Sequence, residues 1–400
     1  MRQTGRPTVL VFVGHYLPGC KAGGILRSVE NSVDHLHREF EFRIVTRDRD
    51  LGDKTPYPKI THRAWQRVGH ADVYYLPPDG ESLAELRAVV QNTTHELIRL
   101  NSFFDPLTVK VLFNRRLGRT GRTPIILSPF GEFAWASLRQ KYVKKALFMW
   151  VARLIGLYSP VLWHASSELE AEDIKTVMKI SPEAIRVVSD LPTVFGAEVP
   201  GRPCAAPARD GLRVTFFSRI SPEKNLDMAL RILNRVRTKV TFDIIGPIEN
   251  VAYWEKCRRL IEELPAHVKA RSLGSITPSQ VMETLGQYDV LLLPTGGEAY
   301  GHVIAESLTA GTAVLISTNT PWRNLRARGF GWDLPLDDID PFVRVLDELG
   351  LADEEAHQER RRVVRENMRR LLSESSTLED NRRLYSDALA RGGDLRDGGR

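Results

Sequence analysis

Residues 289–317, DVLLLPTGGEAYGHVIAESLTAGTAVLIS, hold two short apolar runs separated by a glycine-bearing loop and a segment of helical spacing from Tyr300. The apolar runs have strand length, so the stretch predicts strand, helix and strand in succession. Repeated, that unit builds a doubly wound parallel sheet. The same stretch places Glu298 in the loop and Glu306 one to two turns into the helix, inside an otherwise apolar run. A buried carboxylate is costly unless it accepts hydrogen bonds, so the apolar setting of Glu306 asks for a polyhydroxylated ligand or a cation.

The alternation continues outward. Upstream lie LRVTFFSR, a helix from Lys224, VTFDIIG, a helix from Tyr253, VKARSLG and a helix from Pro278. A separate series begins with TVLVFVG, GILRSVENSVDHLHRE and FEFRIVTRD and ends with AIRVVSD. Between the two series EVPGRPCAAPARDG, rich in Pro, Ala and Gly without a period, reads as a linker. The expected fold class is α/β, with two tandem doubly wound domains, residues 1–196 and 210–374, facing across a cleft. Residues 375–391 are expected to form a C-terminal helix, and 392–400 a disordered tail. Ligands of such sheets bind beyond the carboxyl ends of the strands, which makes the strand-end residues the ones to inspect.

A length of 400 residues favours two cores over one. No apolar run approaches the roughly 18 to 20 residues that span a bilayer, and the amino-terminal MRQTGRPTVLVFVG enters an apolar strand without a cleavage signature. A cytoplasmic protein is expected. Cys20, Cys204 and Cys257 are far apart and form no metal or disulfide pattern. Part of the net charge of +6 sits in residues 137–158, which carry Arg139, Lys141, Lys144, Lys145 and Arg153 and no acid. Such a basic helix either packs on its own sheet with a solvated cationic face or lies on an anionic membrane surface. Interleaved basic and aromatic motifs are missing, so no nucleic-acid partner is expected.

Four glycines, Gly14, Gly19, Gly23 and Gly24, follow the first strand and lead into a helix, where backbone can approach a ligand and the helix start can meet an anion. In SRISPEKN, after the first strand of the second domain, Arg219 and Lys224 would suit a diphosphate. His164 ends another strand, either toward the cleft or as a satisfied strand-end histidine. Asp48 and Asp50 in RDRD are read as a solvated turn, and no metal is expected.

Taken together, GEAYGHVIAE followed by AGTAVLIS, SRISPEKN, GCKAGGILRSV and NTPWRNL resemble the signature of retaining glycosyltransferases of family 4, of the bacterial polysaccharide-biosynthesis type. The resemblance runs over nearly the whole chain to about Ala390. It implies the two-domain GT-B fold, with a UDP- or GDP-sugar donor held by the C-terminal domain and a saccharide or lipid-linked acceptor by the N-terminal one. No cofactor beyond the donor is implied. By the same resemblance Glu306 binds the donor ribose, Glu298 the transferred sugar, and Arg219 and Lys224 the diphosphate. Tyr300, Gly301 and His302 offer backbone to sugar and phosphate, while Gly23 and Gly24 close over them. Phe130, in LSPFGEF, stands where many relatives carry His or Arg, with Glu132 as a neighbouring substitute. The alternatives are a nucleotide-sugar epimerase of the same architecture and a non-catalytic nucleotide-sugar binder.

Overall fold

The computed structural model describes residues 5–159, 161–193 and 211–397. The chain divides into two compact units, residues 1–194 with 376–400, and residues 195–375. The expected linker falls almost wholly outside the described residues.

Among the described residues the first unit has strands β1 (Thr8–Phe12), β2 (Glu41–Arg47), β3 (Trp65–Val68), β4 (Ala71–Leu76), β5 (Leu97–Asn101), β6 (Ile125–Ser128), β7 (Val161–Ala165) and β8 (Ile185–Val187). They form one sheet in the order β3-β4-β2-β1-β5-β6-β7-β8, and β3 alone pairs antiparallel. Every residue of β1, β5, β6 and β7 is buried, as expected of strands covered on both faces. The order of strands reverses its direction of growth between β1 and β5, which makes their carboxyl ends a switch point.

The second unit contains β9 (Leu212–Phe217), β10 (Val240–Ile245), β11 (Val268–Gly274), β12 (Val290–Leu293), β13 (Ala313–Ser317) and β14 (Gly331–Leu334). Their order is β11-β10-β9-β12-β13-β14, all parallel, which is the doubly wound order 3-2-1-4-5-6 within this unit. Here the switch point lies between β9 and β12, where Val214 pairs with Val290. The core joins Val214, Phe216, Ile244, Leu291 and Leu315 to Ile304 and Leu308 of the helix His302–Ala310.

Two long helices follow. Glu354–Glu374 stays with the second unit, where Arg361 donates to the carbonyls of Gly286 (2.8 Å) and Tyr288 (2.6 Å) and to Asp289 (2.9 Å). Thr377–Asp397 belongs to the first unit: Leu384, Tyr385 and Ala388 enter a core with Val9, Phe40 and Phe42. It extends six residues past Arg391, into the stretch expected to be a tail, and 398–400 lie outside the described residues. The basic segment read as one helix is two, Trp135–Leu138 and Tyr142–Leu154, with left-handed Lys141 (φ 55°) ahead of the second.

Candidate functional site

In the second unit the loops after β9, β12 and β13 are tied to one another. Gly296 N–H donates to the Glu223 carbonyl (2.7 Å), Asn225 Nδ2 to the Pro294 carbonyl (2.9 Å), and Glu298 N–H to the Asn319 carbonyl (3.1 Å). On this frame Lys224 Nζ lies 2.7 Å from Glu298 Oε1, and each side chain is only 12% exposed. The structure thus joins directly two residues that the sequence places 74 positions apart.

The chain then turns through Gly301, whose φ of 84° and ψ of 65° lie in the left-handed region. The left-handed conformation favours glycine, and a Cβ there, 2.8 Å from Ile304 Cδ1, would also make the end of that side chain shift. Gly301 caps the helix His302–Ala310, which has no side-chain cap and no acid in its first turn. The positive end of that helix therefore has no acid of its own first turn to balance it. Trp322 Nε1–H donates to the Tyr300 carbonyl (2.7 Å), and the Tyr300 ring packs against those of Trp322 and His302 at 5.9 and 4.9 Å. His302 and Glu306 share a face of the helix and are both buried.

Arg219 is held differently. Its Nη1 lies 2.5 Å from Glu249 Oε2 on the loop after β10, with the two side chains 30% and 37% exposed. Glu223 is a more distant neighbour at 3.9 Å. An exposed pair of this kind is worth little, so an incoming anion can take Arg219 away from it. The second unit thus gathers Arg219, Lys224, Glu298, Tyr300, Gly301, His302 and Glu306 on the strand-end loops and the helix they open. Two cations and a helix start suit an anion there, and carboxylates suit hydroxyl donors.

In the first unit Gly23 (φ 67°) caps the helix Gly24–Leu36, which also lacks a side-chain cap. The glycine loop is fastened by Asp50, whose carboxylate accepts from Cys20 N–H (2.7 Å), Lys21 N–H (3.2 Å) and Leu51 N–H (2.8 Å). This corrects the reading of RDRD as a solvated turn. Asp48 and Asp50 are both buried, Asp48 accepting from Arg49 Nε (2.7 Å) and paired with His62 (3.1 Å). The arginines that made the stretch look solvated include a partner of its carboxylates.

Of the two readings of His164 the structure shows the satisfied strand-end histidine, and the expectation for Glu132 is corrected. His164 is buried within β7, with Nδ1 2.8 Å from Ser128 Oγ and Nε2 2.8 Å from the Val188 carbonyl. Since a carbonyl only accepts, Nε2 carries the proton and Nδ1 accepts from the hydroxyl. Burial lowers its pKa to about 4, so the ring is neutral and spent on the fold. Glu132 turns back to brace the loop after β5. Its carboxylate accepts from Ser102 Oγ (2.7 Å) and from the N–H groups of Phe103 and Phe104. That end is enclosed although the residue as a whole is half-buried, and desolvation pushes its pKa up to about 7. Phe130 (φ 53°) and Gly131 (φ 75°) form a tight turn after β6, leaving Phe130 half-buried. Glu170 holds that turn, accepting from Gly131 N–H (2.6 Å) and Ser166 N–H (2.7 Å).

Glu249, Glu170 and Trp322 escaped sequence reasoning as site or support residues. Glu249 carried a usable signal, because it follows the strand VTFDIIG. Glu170 carried none, since it lies within a helix and its partners are set by packing.

Residues 206–370 match the family described as Glycosyl transferases group 1. A phosphatidyl-myo-inositol mannosyltransferase of Mycolicibacterium smegmatis is 29% identical over 144 residues, 34% of this chain and 36% of that protein. The match thus spans little more than a third of that curated relative. Among solved structures, HepE of Anabaena in complex with UDP and glucose superposes with a TM-score of 0.70 at 14% identity, over 96% of this chain and 99% of that one. Sucrose-phosphate synthase of Thermosynechococcus elongatus gives 0.70 at 16%, over 96% and 100%. The catalytic domain of starch synthase IV from Arabidopsis thaliana, bound to ADP and acarbose, gives 0.68 at 12%, over 97% and 99%. At such identities the likeness establishes the fold.

Proposed function

We propose, from the premise that residues 206–370 are a group 1 glycosyltransferase domain in a chain of the GT-B fold, that this protein moves a sugar from a nucleoside-diphosphate sugar to a saccharide or lipid-linked acceptor. The observation that carries the reading is the Lys224–Glu298 pair beside the uncapped start of the helix His302–Ala310, at the β9/β12 switch point. The donor is a UDP- or GDP-sugar, the anomeric configuration is retained, and the product belongs to bacterial surface glycan. Structural relatives solved with UDP or ADP, and a relative named for phosphatidyl-myo-inositol, support a nucleotide donor and such acceptors.

As the bond from the anomeric carbon to the diphosphate breaks, negative charge gathers on the leaving oxygen. Lys224, Arg219 released from Glu249, and the helix start meet that charge, and preorganised groups of this kind lower the barrier. Because protein cations supply it, the reaction is metal-independent. Glu298, held by Lys224, accepts from hydroxyls of the transferred sugar, and Glu306 from the ribose. On the retained face the leaving phosphate takes the acceptor's proton.

A thermal-shift panel of UDP, GDP, ADP, dTDP and their sugars tests the pocket, since a ligand of the folded state alone stabilises it by about 2.7 kcal/mol at one hundred times its Kd. One nucleotide class is expected to raise the unfolding temperature. Glu306→Ala should weaken that class, and Arg219→Ala should weaken even the free nucleoside diphosphate. No shift at millimolar ligand would sink the reading. Release of nucleoside diphosphate only when an acceptor is added separates transfer from epimerisation and from binding alone.

A further inference from the structure

The segment between Glu132 and Glu168 contains no acid, and it carries Arg139, Lys141, Lys144, Lys145 and Arg153. A helix there that packed in the ordinary way would turn its apolar residues inward and its cations out. The helix Tyr142–Leu154 does this only in part. Met149 and Ala152 are buried, whereas Val143 is 78% exposed, Leu147 61%, Trp150 57% and Leu154 71%. These four are spaced by four, three and four residues, so they form one continuous stripe on the outer face. Trp135 (71% exposed) and Tyr142 (53% exposed) stand near its amino-terminal end with ring centroids 6.5 Å apart. Scattered exposed apolar side chains are ordinary on a surface, but a contiguous row of large ones marks a contact site.

Charge decides what it contacts. Arg139, Lys141, Lys144 and Arg153 are exposed along the same segment, while Lys145 is drawn inward to the Ser137 carbonyl (2.7 Å) and over the Phe104 ring. At the other end Arg116 Nε donates to the Ile155 carbonyl (2.8 Å), which brings up the helix Pro106–Arg116 with exposed Phe113 and, just beyond it, Leu117, Arg119 and Arg122. Arg153 reaches the Val177 carbonyl (3.3 Å) on the neighbouring helix Glu168–Met178, where exposed Glu172 is paired with Lys175 (3.1 Å). The apolar stripe is therefore rimmed chiefly by cations. Two copies of this chain meeting stripe to stripe would set like charges against each other, and lysine is depleted in protein interfaces. Anionic headgroups above an acyl layer match both the rim and the stripe, and Trp and Tyr favour that boundary.

We propose that the helix Tyr142–Leu154, with Trp135, seats the first unit on the surface of an anionic lipid bilayer. No described helix is long and apolar enough to cross a membrane, so the helix lies in the interface. The inference stands on this helix and not on the sugar-transfer reading, because it is tested without any sugar.

The test is sedimentation of the full chain with vesicles of phosphatidylcholine and phosphatidylglycerol, or of phosphatidylcholine alone. The protein should pellet with the anionic vesicles at low salt, remain in the supernatant with neutral ones, and be released by high salt. Leu147→Ser/Trp150→Ser/Leu154→Ser should abolish pelleting with an unchanged unfolding temperature, since the side chains removed are exposed. Lys141→Gln/Lys144→Gln should lower partitioning about twenty-five-fold, each cation near an anionic surface being worth roughly a factor of five. A parent that stays in the supernatant with anionic vesicles, or a triple variant that pellets like the parent, would overturn the proposal. So would a parent dimer in equilibrium sedimentation that the triple variant dissolves, which would give the face to a second copy.

Discussion

Arg219 and Lys224 carry the same charge on the same loop, yet they are poised differently. The Lys224–Glu298 pair is enclosed, while Arg219–Glu249 is exposed and worth at most about 1 kcal/mol. Glu249→Gln should therefore free Arg219 and tighten binding of the preferred nucleoside diphosphate by up to about fivefold, as read by isothermal titration. Unchanged or weaker binding would mean that Arg219 does not meet the diphosphate. Arg219, Lys224 and Glu298 were legible in the sequence because each lies in a loop after a strand, and Glu306 because it is a carboxylate inside an apolar helical run. Their pairing was not, since it depends on loops from separate strands. His164 shows the opposite limit, a polar residue at a strand end that the fold consumes. Its imidazole titrates near 4 when folded and near 6.5 when unfolded, so the unfolded state binds more protons between those values. Its contribution is complete above about pH 6.5 and is lost as pH falls toward 4. Against His164→Gln in urea titrations, the parent's advantage should shrink by about 2 kcal/mol from pH 7 to pH 5. A constant difference would show that the ring is not held neutral.

At the scale of elements, the alternation of apolar runs and helical spacing was enough to read two doubly wound sheets, because buried parallel strands are continuous apolar runs. It did not reveal β3, whose residues are mostly half-buried and pair antiparallel at the sheet edge. Nor did it reveal the break at Lys141, where a left-handed residue interrupts good helix formers. The boundary on which the proposed site depends is the start of the helix His302–Ala310, fixed by Gly301 and by the Trp322 bond to the Tyr300 carbonyl. Gly301→Ala would force a Cβ into a left-handed conformation at about 1 to 2 kcal/mol and against Ile304. The helix start should shift, so nucleoside-diphosphate binding is expected to fall at least tenfold while the fold persists. Trp322→Phe keeps an aromatic ring but removes the N–H and part of the buried indole, so the carbonyl left short of its donor costs about 1 to 3 kcal/mol and the space left in the core adds to that loss. Circular dichroism with calorimetric titration separates these outcomes. Full-strength binding in Gly301→Ala would detach the helix start from the site.

For the molecule as a whole, the chain leaves its first unit at residue 194, builds the second, and returns at 376. The helical period of TLEDNRRLYSDALA shows in the sequence that one face is buried, but a period does not say against which partner. The structure supplies the host. Arg99, buried in β5, donates from Nη1 to Tyr385 Oη and lies 5.7 Å from that ring's centroid. Phe40 packs on the same ring at 5.1 Å, Arg382 pairs with Glu39 at 2.8 Å, and Asn381 Nδ2 donates to the Ser189 carbonyl at 2.9 Å. Tyr385→Ala removes an aromatic core residue, at a cost of about 3 to 5 kcal/mol, and strips a buried guanidinium of its hydroxyl. Because two units need not unfold together, calorimetry can assign that loss. The prediction is that Tyr385→Ala, or a stop after Ser375, lowers the transition of the first unit and leaves that of the second in place. A nucleoside diphosphate held by the second unit would still raise the unmoved transition in these variants. If instead the nucleotide-stabilised transition falls with Tyr385, the C-terminal helix supports the second unit energetically, and the division of the chain into two independent cores fails.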